Sequence, residues 1–372
     1  MIGVMRTAMS ARGATLAIFC VAVVVASSFL AAAGRNGDFA VDLRRAFLPA
    51  AERVLHGHSP LPAPDSPVVA SGQAYVYPPL TALVLAPVSW LPFWVVAVVT
   101  TLLLAAAVVG TLRLLGVSDP RCYAAAFLWG PVLAALQTAN LTLLLGLALA
   151  AVWRWRDVPG RSGPALAAAL APKLFLWPLA IWALLTRRTR TAVVGIGLAL
   201  LVTFVTWAAV GFDGLRDYPR LTHNLSRFEQ DDAVTVYALA RGLGVASHTA
   251  WALWLVVGLA VLVAGCVAAA RGDEQRAFAL LIAASLVLTP IVWLHYFAIL
   301  LVPLAIARRR FDLTWLLPVV LIGASGTGNG GVARTALVLG VAAVVVGCSL
   351  VRQEPKEGGQ PVLRRRTTTE AS

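Results

Sequence analysis

Apolar positions along this chain do not alternate as in a strand, nor do they form the one-sided stripe of a soluble helix. They come as continuous blocks of about twenty residues, separated by short polar stretches. The first block, roughly 14–33, follows Arg6 and Arg12 and predicts a retained membrane-crossing helix rather than a cleaved leader. Residues 34–73 are then a long polar loop, in which Ala46 to Leu55 predicts an amphipathic helix with Phe47, Ala51, Val54 and Leu55 on one side. The block 77–92 is short and bracketed by prolines, which predicts a surface or half-inserted helix. Further spans are predicted near 93–115, 122–136, 139–155, 191–211, 249–270, 312–324 and 332–351. The run 164–186 carries Pro172-Lys173 at its middle with arginines at both ends, so it predicts two short helices that meet at Lys173. The run 276–308 is too long for one crossing and breaks near Thr289-Pro290, leaving Trp293, His295 and Tyr296 in the turn.

These elements predict an all-α polytopic membrane protein: a bundle of about twelve transmembrane helices with a long first extracytoplasmic loop. One transmembrane domain covers 1–351, with outer loops at 34–73 and 212–248. The polar tail 352–372 is expected to be disordered and cytoplasmic, as is the N-terminus.

Composition agrees: 59% of residues are hydrophobic and only 13% charged, where a soluble domain carries about a quarter charged. A β-barrel would need alternating strands, which the blocks exclude. The formal charge of +13 does not call for nucleic acid. Predicted cytoplasmic segments hold 20 basic and 8 acidic residues, against 8 and 9 in the two outer loops, which is the positive-inside asymmetry of a plasma-membrane protein. The four cysteines lie in or beside apolar runs without ligand spacing, so neither a disulfide framework nor a metal site follows. No Walker, GxSxG or strand-linked GxGxxG motif is present, which argues against ATP-driven transport and soluble-type hydrolases. No cofactor is implied.

Under this topology the unusual polar residues gather on the outer side. Asp42 and Asp38 are candidate general bases, since a carboxylate at a membrane-adjacent cavity can take the proton of an attacking hydroxyl. Either could instead pair with Arg44 or Arg45, or cap the helix that follows. Lys173 is costly among apolar residues unless it faces a cavity or an anion such as phosphate; otherwise it snorkels to the surface. His295 could hold a phosphate or sugar, or be a satisfied interfacial histidine. Gln137 and Asn140 could read sugar hydroxyls or bridge helices. Tyr75, Tyr77, Trp90, Phe93 and Trp94 suit an interfacial belt as well as a sugar platform.

The stretch from Asp42-Leu43-Arg44-Arg45-Ala46-Phe47-Leu48-Pro49-Ala50-Ala51-Glu52 to His56-Gly57-His58-Ser59-Pro60, then Tyr75-Val76-Tyr77-Pro78-Pro79-Leu80, resembles the opening of glycosyltransferase family 87. The resemblance is to its polyprenol-phosphate-mannose-dependent α-(1→2)-mannosyltransferases, of the GT-C membrane fold. Gln137…Asn140, Pro172-Lys173…Trp177-Pro178-Leu179 and Thr289-Pro290…Trp293-Leu294-His295-Tyr296-Phe297 resemble the later motifs, so the likeness covers most of residues 38–310. One departure is Leu61, where the family has tyrosine after Ser-Pro.

The resemblance implies a membrane glycosyltransferase that moves a sugar, in the first place mannose, from a polyprenyl-phosphate donor to a glycolipid or glycan hydroxyl outside the cell, with inversion. It implies Asp42 as base with Asp38 in reserve. Lys173, His295, Arg216 and Arg220 are the donor-phosphate candidates, and Gln137, Asn140, Tyr77 and Tyr296 the substrate contacts. The expected partners are donor, acceptor and membrane lipids. An arabinofuranosyltransferase using a polyprenyl-phosphate arabinose is the nearest alternative. A lipid or glycan transporter, or a non-catalytic partner in cell-wall assembly, would use the same polar cavity without chemistry; the lack of an internal repeat disfavours transport.

Overall fold

In the computed structural model, which describes residues 2–324 and 331–351, the described chain is helical throughout. The expected disordered tail at 352–372 lies outside the described residues. Five helices are long and apolar enough to cross a membrane: α1 (Ile2–Asn36) over Thr15–Asn36, α5 (Phe93–Leu114), α11 (Thr189–Ala209), α14 (Ser247–Ala270) and α17 (Val332–Ser349). Their apolar surface is turned outward. Only 17% of the α14 window is buried inside the protein although its mean hydropathy is 2.6, an arrangement that fits lipid and not water. This is a membrane-spanning protein.

No other helix among the described residues is as long and apolar as these five. The remaining apolar sequence folds into shorter helices interrupted at proline and glycine: α6 (Pro120–Phe127), α7 (Gly130–Thr138), α8 (Thr142–Arg154), α9 (Pro159–Leu170), α10 (Pro178–Leu185), α15 (Glu274–Val287) and α16 (Leu301–Ala307). Short 3-10 segments at Leu174–Leu176, Leu294–Leu300 and Leu313–Ala324 join them. A proline in the first turn of α6, α7, α9 and α10 explains the breaks: it sets φ for a helix start and cannot continue the helix before it. Such interruptions are tolerated at membrane depth because neighbouring helices surround them.

The inter-helix contacts use small residues so that backbones approach closely. A Cβ added to Gly195 on α11 would lie 2.7 Å from Leu166 of α9, and one on Gly265 of α14 would lie 2.8 Å from Leu281 of α15. One end of the bundle is tied by ions: Arg188 bonds Asp157 at 2.8 Å and Glu274 at 2.9 Å, linking three inter-helix turns.

At the opposite end the two expected outer loops are largely helical and pack on each other. The first holds a π-helical turn, Leu43–Phe47, which runs into α2 (Leu48–Leu55), followed by the single turn α3 (Pro67–Ala70). The second holds α12 (Tyr218–Glu229) and α13 (Val236–Gly242). Tyr218 donates to the Val76 carbonyl at 2.9 Å, Asn224 to the Pro64 carbonyl at 3.1 Å, and Ser59 to the Asp213 carbonyl at 3.0 Å. Between these loops, α4 (Leu80–Leu85) is a short helix ahead of α5. The proline-rich stretch thus becomes part of a cover over one end of the bundle.

Candidate active site

Beneath that cover lies a cavity of about 540 Å³. Its inner wall is assembled from chain breaks: the turn after α1, the α7–α8 turn, the gap between α9 and α10, and the turn after α15.

Two alanines held in the left-handed region build the first two of these breaks. Ala40 (φ 52) follows α1, and Ala139 (φ 56) ends α7. A Cβ makes that conformation cost about 1–2 kcal/mol, so the surroundings must impose it. They do: the Ala40 N–H donates to the Gln137 carbonyl at 2.6 Å, clamping the two turns together. The Ala40 kink turns the next segment inward, and Asp42 arrives on the cavity wall.

Asp42 makes neither of the two contacts that would give it a purely structural role. Its side chain does not cap the helix that follows, and among the described residues it forms no ion pair with Arg44 or Arg45. Arg44 instead stacks over Phe93, 4.3 Å from the ring centre. Asp42 Oδ2 accepts a 2.7 Å hydrogen bond from the Asn140 amide. Asn140, itself 1% exposed, is fixed because its Oδ1 accepts from Thr142 Oγ1 at 2.7 Å and Thr142 N at 3.1 Å. Its NH2 must therefore point at Asp42. Burial raises the Asp42 pKa, opposed first by the Asn140 hydrogen bond and then by the Lys173 charge.

Lys173 stands in the gap between α9 and the 3-10 turn, extended in backbone and 8% exposed. Its ammonium lies 3.7 Å from the centre of the Tyr296 ring and 4.8 Å from that of Tyr77, and finds no hydrogen-bond acceptor among the described residues. Burial pushes its pKa down to about 7, against the pull of Asp42. His295, 7% exposed and 5.0 Å from the Tyr296 ring, leaves Nε2 without a partner there as well. A buried ammonium without an acceptor, with an unpartnered imidazole nitrogen nearby and aromatic faces beside it, makes a ready place for an oxyanion. Tyr77 is fixed by Phe47 and Tyr75, with ring centres 5.3 and 5.6 Å away.

Asp42, Tyr77, Gln137, Asn140, Lys173, His295 and Tyr296 all line this one cavity, although they are up to 254 positions apart in sequence. Three other candidates do not reach it. Asp38 lies before the Ala40 kink, with its N–H bonded to the Ala33 carbonyl at the end of α1. Arg216 is exposed in the turn before α12. Arg220 points away from the cavity and pairs with Asp65 at 2.6 Å. Of the aromatic group, Trp90 (74% exposed) and Trp94 (53%) face outward, while Tyr75 and Tyr77 are interior. Leu61 packs beside Gly214 and is not on the cavity wall.

The outer rim brings residues that the sequence reading did not single out as site residues: Gln73, Ser226, Glu229 and Arg334. A legible signal existed for part of it. Tyr218, Thr222, Leu225, Ser226 and Glu229 recur at helical spacing and form the cavity face of α12. Among the described residues no cluster of His, Cys, Asp and Glu has a metal-holding arrangement.

The family model described as Glycosyltransferase family 87 matches residues 75–294. That stretch includes Tyr77, Gln137, Asn140, Lys173 and Glu229; Asp42 and His295 fall outside it and enter the site on geometry. Neither the curated proteins nor the solved structures gave a match to the chain.

Proposed function

The chain belongs to glycosyltransferase family 87, and on that premise we propose that it transfers mannose from a polyprenyl-phosphate donor to a glycolipid or glycan hydroxyl, with inversion. Asp42 takes the acceptor proton on Oδ1, since Oδ2 is held by Asn140. The acceptor oxygen forms a bond to the anomeric carbon from the face opposite the phosphate, and the bond from that carbon to the phosphate oxygen breaks with its electron pair. Lys173 and His295 meet the charge that develops on the departing phosphate. The observation that carries this reading is the pairing inside one cavity of a carboxylate with a fixed orientation and a buried ammonium and imidazole nitrogen that lack partners among the described residues. Tyr77 and Tyr296 offer ring faces to the sugar, and Gln137 an amide.

The charge distribution supports an extracytoplasmic site in the plasma membrane with both termini cytoplasmic. Arg154, Arg156, Arg161, Arg187, Arg188 and Arg190 crowd the turns at the end opposite the cavity. The long helices and proline-broken short ones are taken as a GT-C type bundle, which the donor enters from the outer leaflet past Leu174 and Trp177, exposed beside Lys173.

The test is transfer by purified protein in detergent, from synthetic short-chain polyprenyl-phosphate mannose or arabinose to alkyl mannosides. Mannose transfer that is lost in Asp42→Asn and kept in Asp38→Asn is the expected result. Transfer from the arabinose donor alone reassigns the sugar. Loss in Asp38→Asn alone would refute the placement of the base.

A further inference from the structure

The rim of the cavity holds a carboxylate that the proposed reaction does not use. Glu229 is the last residue of α12 and lines the cavity, yet among the described residues it has neither an ion pair nor a hydrogen-bonded side-chain partner. Its position is unfavourable on three counts. A negative charge at a helix C-terminus opposes the helix dipole. Half-burial raises its pKa, and the neighbouring Asp232 raises it further. Among the described residues no ion pair or side-chain hydrogen bond offsets these costs, which is the pattern of a residue kept for a ligand.

The structure also makes room for it. Across the slot, Gly72 sits at φ +71, and a Cβ there would lie 2.0 Å from Glu229 Oε1. A side chain at 72 would strain that backbone conformation and displace the end of Glu229 from where it now lies. Ser226 lies one turn before Glu229 on the same face of α12, and Gln73 follows Gly72 on the facing wall. The slot is thus lined by a hydroxyl, an amide and a carboxylate that is free to accept. The two ends of the cavity differ in chemistry: Lys173, His295 and aromatic rings line one, while the rim combines a hydroxyl, an amide and the Glu229 carboxylate with one cation, Arg334.

Building on the family-based transfer reaction, we propose that Glu229, with Ser226 and Gln73, forms a second sugar subsite for the acceptor. It binds a neutral, hydroxyl-rich residue adjacent to the one whose hydroxyl reacts at Asp42. The acceptor is therefore an oligosaccharide or glycolipid recognised through at least two sugar units, and it enters from the aqueous rim while the donor lipid enters from the membrane. A carboxylate accepts from vicinal hydroxyls and repels an acceptor unit that carries phosphate or carboxylate.

The experiment measures binding of octyl α-mannoside and an octyl α-dimannoside to the full chain in detergent by microscale thermophoresis, for wild type, Glu229→Gln and Ser226→Ala. The wild type is expected to bind the dimannoside more tightly by tenfold or more. Hydrogen bonds to a charged group support a preference of about 10- to 100-fold. In Glu229→Gln the ratio of the two affinities falls toward one, and in Ser226→Ala it falls by a few-fold. Ser226→Ala removes only a hydroxyl and reports on the slot should the glutamate variant misfold. A wild-type ratio near one, a ratio unchanged in both variants, or no dimannoside binding by folded wild type overturns the subsite. Asp42→Asn separates the two readings: transfer that persists in this variant overturns the base assignment, while its affinity ratio still reports on the Glu229 slot.

Discussion

Asn140→Leu isolates the part of the site that orients the base. The substitution keeps bulk close to that of the amide and removes the 2.7 Å hydrogen bond to Asp42 Oδ2, together with the acceptor for Thr142. A hydrogen bond to a charged group contributes about 1.5–3 kcal/mol, which corresponds to about 10- to 150-fold. That is the expected loss in kcat/KM at neutral pH, without a comparable change in donor affinity. The pH profile carries the diagnostic. Asn140 lowers the Asp42 pKa against the burial that raises it. Without the amide the carboxyl holds its proton to higher pH, so the rising limb of kcat/KM against pH must move in the alkaline direction, and activity recovers in part as pH is raised. Thr142→Val, which leaves the 3.1 Å bond from Thr142 N to Asn140 in place, should give a smaller loss and a smaller displacement in the same direction. The assay is initial rate of sugar transfer from the short-chain donor across pH 5 to 9. A large drop in rate with an unmoved limb, or a limb displaced toward acid, would refute the argument that Asn140 acts through Asp42.

Two further predictions rest on burial and packing. Lys173 titrates at about 7 in the folded protein against 10.5 for the ordinary side chain, so its charge penalises the fold. The penalty is absent above pH 10.5, grows as pH falls, and is complete below 7, where it is on the order of 5 kcal/mol. Lys173→Met should therefore melt higher than wild type at pH 7 in detergent, with the gap closing toward pH 10.5; a lower midpoint at pH 7 contradicts the assigned burial cost. In Gly130→Ala the new Cβ would lie 2.4 Å from the backbone of Leu321, which cannot rotate away. This should cost about 1–3 kcal/mol and lower the melting midpoint, and an unchanged midpoint would show that α7 does not pack as described.

Asp42 shows how far residue type and spacing reach. Its polarity in a long loop after the first apolar block marked it, and so did the order of the motifs. Spacing alone could not separate a base from a helix cap or a partner of Arg44, because those roles differ in side-chain direction, which the Ala40 kink sets. Asn140 shows the complementary limit. An amide near a turn could equally read sugar or bridge helices, and only the anchoring by Thr142 turns its donor toward Asp42. For the arginines, charge and outer position were not enough: Arg220 faces Asp65 because it falls off the stripe of α12 that meets the cavity. Glu229 went unmarked because it looked like one more charge in a polar loop, and its significance depends on Gly72, 157 positions away.

The sequence by itself determined that this is an all-helical membrane protein, that prolines interrupt its apolar runs, and which turns are basic. These follow from local causes: runs of apolar side chains, prolines that cannot continue a helix, and arginines clustered at turns. The tertiary structure decided which polar residues meet. That choice depends on two left-handed alanine turns clamped by one hydrogen bond, and on the packing of two distant loops into a cover. A carboxylate becomes a candidate base, and an ammonium a candidate anion site, only when burial and neighbours set its charge. Those neighbours come from segments that have no local reason to be near one another.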